Sequence, residues 1–348
     1  MIRSFRSPQK YLQGPGVFRS ALAEVRRLGT KGLLVTDGFV YQLVGQELDR
    51  ALQDLGMEIQ VLLVDEAVPL EGLVSKETCG VVIALGGGRA IDIGKTLAAR
   101  GGWRCAVLPT SAATDAPTSS ISVTYDSNGA FLGYEHYPFN PDLVLVDSQV
   151  IFHAPGKFLA QGIADGLCTY VEAATVWEQK EQGLNNERPT IAALALAKAC
   201  RDTLLADGRQ AIQDQARGVR SQAFENVVEA NILLSGLGFE NGGLSLAHAF
   251  HNTLLGDRSL SVSRSHGEIV GVGLLLQLVV EESEEFSTYR EFLAEIKLPL
   301  TLEALGVTLT PTQAEFLAQG ILAAATKGNP LKAGITKADL LAGLATLA

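Results

Sequence analysis

The sequence has few of the residues that mark disulfide-rich or nucleic-acid-binding proteins. Its 348 residues include 4 cysteines, 2 tryptophans and 5 histidines, and the formal net charge is −10 at pH 7. The cysteines form no Cys-x-x-Cys pair and lie in apolar stretches, which is typical of reduced core residues and predicts a cytoplasmic protein. The negative charge argues against nucleic acid as a partner, because Lys and Arg are the residues that hold phosphates.

Long hydrophobic runs are also missing. The apolar run at 269–280, "IVGVGLLLQLVV", is too short to span a bilayer, and we interpret it as a buried helix. The first residues, "MIRSFRSPQKYLQGPG", lack the apolar core of a secretory signal. A hydrophobic content of 47% with 19% charged residues indicates a chain that buries a substantial core. We therefore expect a folded protein without a membrane partner.

The first part of the chain alternates short apolar runs with helical patterns. Such continuous apolar runs predict a parallel sheet covered by helices on both faces. The segment 42–56 has helical periodicity, and the segment 119–136 predicts a β-hairpin that turns at 126–129. The predicted strands of the sheet lie at 32–38, 58–66, 80–88, 104–111 and 142–147.

After residue 152 the β pattern stops. The remaining sequence is rich in Ala and Leu at helical spacing, as in "PTIAALALAKACRDTLLADG". We therefore predict two domains, an α/β domain at 1–152 and an all-helical domain at 153–348.

A glycine-rich loop follows the predicted strand at 80–88. In "ALGGGRAIDIGK" three consecutive glycines precede a helix, whose free N–H groups could hold a pyrophosphate. The run does not match G-x-G-x-x-G, so a plain strand-to-helix turn remains an alternative. Asp37 follows an earlier strand, and its carboxylate could accept from a ribose hydroxyl and disfavour a 2′-phosphate, which predicts NAD rather than NADP. An ordinary turn at Asp37 is the alternative.

Three of the five histidines fall close together. His248 and His251 share one face of a predicted helix, and His266 begins the next helix. Neutral imidazoles are good ligands for Zn²⁺ and Fe²⁺, and a site with two of them needs a further ligand. Asp165, which we place at a helix start in "GIADGLCTYVEA", is the carboxylate that could complete it. Histidines that are simply packed in a core are the alternative.

Several long motifs resemble the glycerol dehydrogenase group of the iron-containing alcohol dehydrogenase superfamily. They are "PTSAATDAPTSSISVTY", "GGGRAIDIGK", "NPDLVLVD", "GIADGL", "EANILLSGLGFENGGLSLAHAFHN" and "HGE". The resemblance is colinear and extends to about residue 285. It implies a Rossmann-like nucleotide-binding α/β domain followed by a helical metal-binding domain, the dehydroquinate synthase-like fold, with the active site in the cleft between them.

The resemblance also implies site residues. A metal, usually zinc in this group with Fe²⁺ as the alternative, would be held by Asp165, His248 and His266. Asp115 would bind the substrate, and His251 would lie near the site, either touching cofactor or substrate or serving helix packing. The implied NAD-binding residues are Asp37, Gly86, Gly87, Gly88, Arg89, Ala90, Thr110, Ser111, Ala112, Ala113, Ser119, Ile121 and Tyr125.

The sequence departs from the family pattern at several positions. Iron-dependent members carry a further ligand histidine where this chain has Thr169, so three protein ligands remain. Arg89 and Ala90 stand where Lys-Thr is common, which keeps the basic side chain but loses a hydroxyl contact. Arg258 and Arg264 lie between the metal histidines, either in a solvated loop or subunit contact or as a basic edge that favours an anionic substrate.

The implied activity is the NAD⁺-linked oxidation of glycerol, or of a similar 1,2-diol, to dihydroxyacetone or a hydroxyketone by a homo-oligomer. A glycerol-1-phosphate dehydrogenase-like enzyme acting on a phosphorylated polyol is the alternative. A 3-dehydroquinate synthase would need more basic residues. Two histidines and a carboxylate also suit a non-haem iron oxygenase, which needs no dinucleotide loop. A non-catalytic NAD sensor would keep the glycine loop without needing the metal ligands.

Overall fold

The computed structural model describes residues 2–64, 79–125, 131–184, 186–257, 260 and 262–348. The chain divides into two compact units, Arg6–Pro155 and Met1–Phe5 with Gly156–Ala348. The sequence pattern predicts a domain boundary between residues 152 and 153. The division of function between a nucleotide-binding and a metal-binding domain stays a prediction.

The unit Arg6–Pro155 contains a six-stranded sheet in the order β1-β8-β5-β4-β2-β3, in which every described pair is parallel. The strands are β1 (Tyr11–Gly14), β2 (Lys31–Thr36), β3 (Glu58–Leu63), β4 (Val81–Gly86), β5 (Arg104–Pro109) and β8 (Leu143–Asp147). The five strands predicted for this sheet are confirmed, and residues 65–66 of the range predicted at 58–66 lie outside the described residues. The short strand β1 was not predicted, because "YLQG" mixes polar and apolar residues and is only half-buried.

Helices cover this sheet. They are α1 (Val17–Ser20), α2 (Leu22–Leu28), α3 (Gly38–Val40), α4 (Gln46–Asp54), α5 (Gly88–Gly101) and α6 (Ser148–His153), with a π-helical turn at Tyr41–Gly45 between α3 and α4. Strands β4 and β8 are buried at every position, which explains their continuous apolar sequences. On one face, Leu34, Ile83 and Leu145 belong to a hydrophobic cluster with residues of α1, α2 and α4.

The predicted hairpin is present. β6 (Ile121–Tyr125) pairs with β7 (Phe131–His136) in antiparallel register. The predicted turn at 126–129 lies outside the described residues.

The second unit is helical throughout its described part, apart from one isolated bridge between Arg3 and Arg188. Its helices are α7 (Gly156–Glu178), α8 (Ile191–Ala216), α9 (Gln222–Glu229), α10 (Ser235–Gly242), α11 (Leu246–Gly256), α12 (His266–Val280), α13 (Phe286–Glu295), α14 (Pro311–Ala325) and α15 (Lys337–Thr346), with a π-helical turn at Ala230–Leu234 and a 3₁₀ turn at Glu303–Leu305. The all-helical prediction and the buried helix predicted at 269–280 are confirmed. In the described part of the chain, no helix combines the length and apolarity that a membrane crossing requires.

Helix α7 packs against α8, α10 and α12, and α12 packs against α11. Glycines allow close approach: a Cβ on Gly267 would lie 2.1 Å from the backbone oxygen of Gln161, and a Cβ on Gly273 would lie 2.6 Å from that of Ala247. Helix α12 therefore rests directly on the backbones of α7 and α11. All four cysteines are free, and three of them are buried.

Candidate functional site

Three side chains from three helices meet in the helical unit. Asp165 on α7, His248 on α11 and His266 on α12 each offer one ligand atom, and these atoms lie within 4.8 Å of one another. Asp165 Oδ1 is 3.2 Å from His266 Nε2 and 3.6 Å from His248 Nε2. The packing of α12 on α7 and α11 creates this cluster, because Asp165 is far in the sequence from both histidines.

The predicted position of Asp165 at a helix start is wrong. Helix α7 begins at Gly156, and Asp165 lies well inside it. The neighbouring glycine has a packing role instead, since a Cβ on Gly166 would lie 2.7 Å from Leu204 Cδ1. The carboxylate therefore receives no N–H groups from a helix N-terminus.

Asp165 is 2% exposed, and neither of its carboxyl oxygens has a hydrogen-bond partner among the described residues. Burial raises the pKa of Asp165 to about 6, while His248 opposes the shift and Glu172 adds to it. A buried carboxylate without partners costs free energy unless a cation compensates it. One carboxylate and two imidazoles fit a divalent ion such as Zn²⁺ or Fe²⁺.

The state of His266 agrees with a ligand role. Burial, followed by the neighbouring His248, lowers the pKa of His266 to about 3, so the ring is neutral and has a free lone pair at neutral pH. One third of the His266 side chain is exposed, against 9% for His248. The site can therefore be reached from the His266 side.

The start of helix α12 determines the position of His266. Ser265 caps α12 in a capping box with Glu268, so His266 is the first residue of the helix. The hydroxyl of Thr169 lies 2.9 Å from the hydroxyl of Ser235. Thr169 is the position at which the family resemblance implies a further histidine in iron-dependent enzymes, and here its side chain is engaged with Ser235 instead.

Glu172 holds His248, and sequence reasoning missed it. Its Oε2 lies 2.6 Å from His248 Nδ1, and its side chain is fully buried. The available signal was an acidic residue two helical turns after Asp165 on the same apolar helix, a spacing that puts both carboxylates on one face.

His251 does not join the three ligand atoms but contacts one of the rings. Its Nε2 lies 3.0 Å from His266 Nδ1, and its Nδ1 lies 2.9 Å from Asn252 Oδ1. Burial, followed by the His266 ring, lowers the pKa of His251 well below its usual value. The role of His251 in catalysis stays a prediction.

In the α/β unit, the glycine loop connects β4 to α5. Gly86 has a φ of +149°, and a Cβ there would lie 2.9 Å from the Cβ of Ala90. Within the described residues, a Cβ on Gly87 would meet no atom within 4 Å, and Gly87, the N-cap residue of the helix that follows, makes no side-chain cap. The loop therefore presents open space and uncapped N–H groups, as a phosphate site requires.

Asp37 lies beside this loop because β2 and β4 are neighbours in the sheet. Its Oδ2 is 3.7 Å from the Cβ position built on Gly86. Its Oδ1 accepts from the Val40 N–H at 2.8 Å, so Asp37 also caps α3. The turn interpretation and the ribose interpretation of Asp37 are compatible, because one oxygen serves the cap.

The other expected cofactor residues are on neighbouring segments of the same unit. Thr110 donates its N–H to Gly86 O, and Ala112 is buried. Lys95 on α5 donates to the oxygens of Ser119 and Ile121, both of which are buried. The remaining predicted residues are exposed Arg89, buried Ala90, partly buried Ser111, Ala113 and Asp115, and Tyr125 on β6.

The structure describes only one of the two arginines that lie between the proposed metal-binding histidines. Arg258 lies outside the described residues. Arg264 contacts Glu268 Oε1 at 3.3 Å and donates to Ala304 O at 2.8 Å. These contacts favour a local anchoring role for Arg264 over recognition of an anionic substrate.

Comparison with known proteins gives concordant results. The family model described as iron-containing alcohol dehydrogenase matches residues 8–148. Glycerol dehydrogenase 1 of Schizosaccharomyces pombe is 40% identical, over 88% of this chain and 70% of that protein. Glycerol dehydrogenase of Escherichia coli O6:H1 is 35% identical, over 99% of this chain and 96% of that protein. The crystal structure of glycerol dehydrogenase from S. pombe superimposes with a TM-score of 0.93 at 35% identity, and the match covers 99% of this chain and 90% of that one.

Proposed function

Because the chain belongs to the iron-containing alcohol dehydrogenase family, we propose that it catalyses the NAD⁺-linked oxidation of glycerol, or of a similar 1,2-diol, to dihydroxyacetone or the corresponding hydroxyketone. The observation that carries the proposal is the convergence of Asp165, His248 and His266. The two relatives compared above are named glycerol dehydrogenases, and this supports the choice of substrate.

We propose that these three residues hold a divalent cation, with zinc as the first candidate and Fe²⁺ as the alternative. A cation bound there would act as a Lewis acid and lower the pKa of the substrate hydroxyl. Catalytic zinc sites typically have three protein ligands and keep a further position for substrate. The engagement of Thr169 with Ser235 supports a set of three.

The protein side chains prepare this site before the substrate arrives. Asp165 supplies the negative charge, and the absence of hydrogen-bond partners among the described residues leaves both of its oxygens available. The low pKa of His266 keeps that ring in the neutral form that can act as a ligand. In the proposal, Asp115 accepts a hydrogen bond from a substrate hydroxyl and so fixes which carbon reacts.

The glycine loop is the proposed seat of the NAD pyrophosphate, and NAD⁺ would accept the hydride that leaves the alcohol carbon. The N–H groups at the start of α5 and the space beside Gly87 support this role. Asp37, adjacent to the loop, is the proposed partner of a ribose hydroxyl, which favours NAD over NADP. The remaining proposed NAD-binding residues are Gly86, Gly88, Arg89, Ala90, Thr110, Ser111, Ala112, Ala113, Ser119, Ile121 and Tyr125.

The experiment is a substrate panel on protein of known metal content. NADH formation is followed with glycerol, 1,2-propanediol and glycerol 1-phosphate, before and after chelation. We expect fast reduction of NAD⁺ with the two diols, loss of turnover on chelation and recovery when the metal is returned. Faster turnover of glycerol 1-phosphate would establish the phosphorylated-polyol alternative, and oxygen-dependent turnover without NAD⁺ would establish the oxygenase alternative.

Two further expectations remain predictions. They are the cytoplasmic location, based on the cysteine pattern, and the homo-oligomeric state, based on the family resemblance.

A further inference from the structure

We propose that Glu172 is a positioning residue that selects the tautomer of His248 and so directs the Nε2 lone pair of that ring at the cation. The inference rests on the proposed metal site. It assigns a task to a fully buried carboxylate that is not one of the three ligands. The geometry that carries it is the 2.6 Å contact between Glu172 Oε2 and His248 Nδ1.

The tautomer follows from which atoms can donate. A carboxylate only accepts hydrogen bonds, whereas a neutral imidazole carries its hydrogen on one of its two nitrogens. Beside Glu172 Oε2 the hydrogen of His248 must therefore be on Nδ1. Its Nε2, which lies 3.6 Å from Asp165 Oδ1, is then left with a lone pair.

The same carboxylate also fixes the backbone that carries the ring. Glu172 Oε1 accepts from the Ser245 N–H at 2.8 Å and from the His248 N–H at 3.0 Å, at the start of α11. Ser245, the N-cap residue, makes no side-chain cap of its own, because its hydroxyl donates to Pro330 O at 2.5 Å. Glu172 thus caps α11 and orients the ring at once, so the ring can neither rotate nor change tautomer without breaking contacts.

The two proposed ligand rings have different partners. The Nδ1 of His248 faces the buried carboxylate of Glu172, whereas the Nδ1 of His266 lies 3.0 Å from the Nε2 of His251. An anionic partner makes an imidazole a stronger electron donor to a metal. We therefore expect His248 to contribute more to metal affinity than the partly exposed His266.

The test is the isosteric variant Glu172→Gln. Its amide must place an NH₂ group either against the Nδ1–H of His248 or against the two backbone N–H groups, so one set of contacts is lost. Zn²⁺ titration of the metal-free protein by calorimetry should show a Kd raised by about 10- to 100-fold. The matched control is Glu281→Gln, because Glu281 accepts from Gln277 and Thr175 and has no contact with the histidines among its described hydrogen bonds. Its Zn²⁺ affinity should equal that of the wild type.

A double-mutant cycle separates positioning from general stability. If Glu172 acts through His248, then Glu172→Gln should cost no further Zn²⁺ affinity in a His248→Ala background. An equal loss in both backgrounds would show a merely structural role and overturn the proposal.

Nitrogen NMR of the metal-free wild type provides a second measurement that does not depend on any variant folding well. The proposal requires the hydrogen of His248 on Nδ1, and a hydrogen on Nε2 would contradict it. A wild type that binds neither Zn²⁺ nor Fe²⁺ would defeat the proposed function itself. Zn²⁺ bound equally by the wild type and Glu172→Gln would defeat only this inference.

Discussion

Asp165 Oδ1 lies 3.2 Å from the Nε2 of His266, although the two residues belong to different helices and are far apart in the sequence. Neither oxygen of this carboxylate has a hydrogen-bond partner in the part of the chain that the structure describes. A pair of this kind is costly in a fold that binds nothing and useful in one that binds a cation.

Asp165→Asn should remove metal binding and activity together. Asparagine has nearly the same shape but no charge, so the cation loses its only anionic ligand among the three. We expect kcat/KM to fall by more than about 100-fold, since changes outside the ligand set already cost 10- to 100-fold. Metal analysis of the purified variant, paired with NADH formation from glycerol, measures both effects.

The metal-free Asp165→Asn protein should unfold at a temperature no lower than that of the metal-free wild type, because an unpaired buried charge has been removed. Asp115→Asn is the control, and it should keep the metal while raising the KM for glycerol. Stoichiometric metal in Asp165→Asn would show that the carboxylate is not a ligand.

Gly87→Ala should weaken NAD⁺ binding without changing stability. The backbone of Gly87, at φ −85° and ψ −174°, suits alanine, and among the described residues the new methyl group would meet no atom within 4 Å beyond its chain neighbours. The methyl group would instead occupy the space proposed for the pyrophosphate. We expect the Kd for NAD⁺ to rise about tenfold, equivalent to about 1.4 kcal/mol. Fluorescence titration with NAD⁺ and a thermal unfolding curve test this, and an unchanged Kd would remove the loop from the proposed cofactor site.

Gly267→Ala should destabilise the helical unit. The added methyl group would lie 2.1 Å from Gln161 O, which belongs to the backbone of a buried helix and cannot move aside cheaply. Overpacking of this kind costs about 1–3 kcal/mol. Urea unfolding of the variant and of the wild type measures this difference in the free energy of unfolding. Gly256→Ala is the matched control, since a Cβ there meets no neighbouring atom within 4 Å in the part of the chain that the structure describes, and it should unfold at the wild-type urea concentration or higher.

Lys95→Met should destabilise the α/β unit in a pH-dependent way. The buried Lys95 Nζ lies 3.2 Å from Asp92 Oδ1 and donates to Ala116 O at 2.9 Å. Leaving Asp92 without this partner should cost about 3–5 kcal/mol near neutral pH.

The sign of the pH effect follows from Asp92. Burial raises the pKa of Asp92 above 3.8 even though Lys95 lowers it, and loss of Lys95 raises it further. As the pH falls through this raised pKa, the folded state takes up a proton that the unfolded state does not yet bind, so stability returns. Urea unfolding should therefore show that the loss of unfolding free energy caused by Lys95→Met is smaller at mildly acidic pH than at neutral pH. The double variant Asp92→Asn with Lys95→Met should show no such recovery, and a cost for Lys95→Met that stays constant with pH would refute the argument.

Much of the fold was predictable from local patterns. The continuous apolar sequences of β4 and β8 reflect burial on both faces, and the Ala- and Leu-rich helical spacing of the later sequence indicated the helices that follow. Strand β1 was missed because pairing with β8, rather than its own sequence, makes it a strand. Asp165 is not at the predicted helix start, because α7 begins at Gly156, and the adjacent Gly166 serves close contact with Leu204.

The sequence by itself determined which residue types were available: three clustered histidines, a carboxylate in an apolar stretch and a glycine loop after a strand. Local spacing could place His248 and His251 on one helical face, since a helix fixes distances within a few residues. Only the tertiary structure decided that Glu172 meets His248 and that His251 meets His266. These distances depend on how α7, α11 and α12 pack against one another, and packing joins residues that no local periodicity relates.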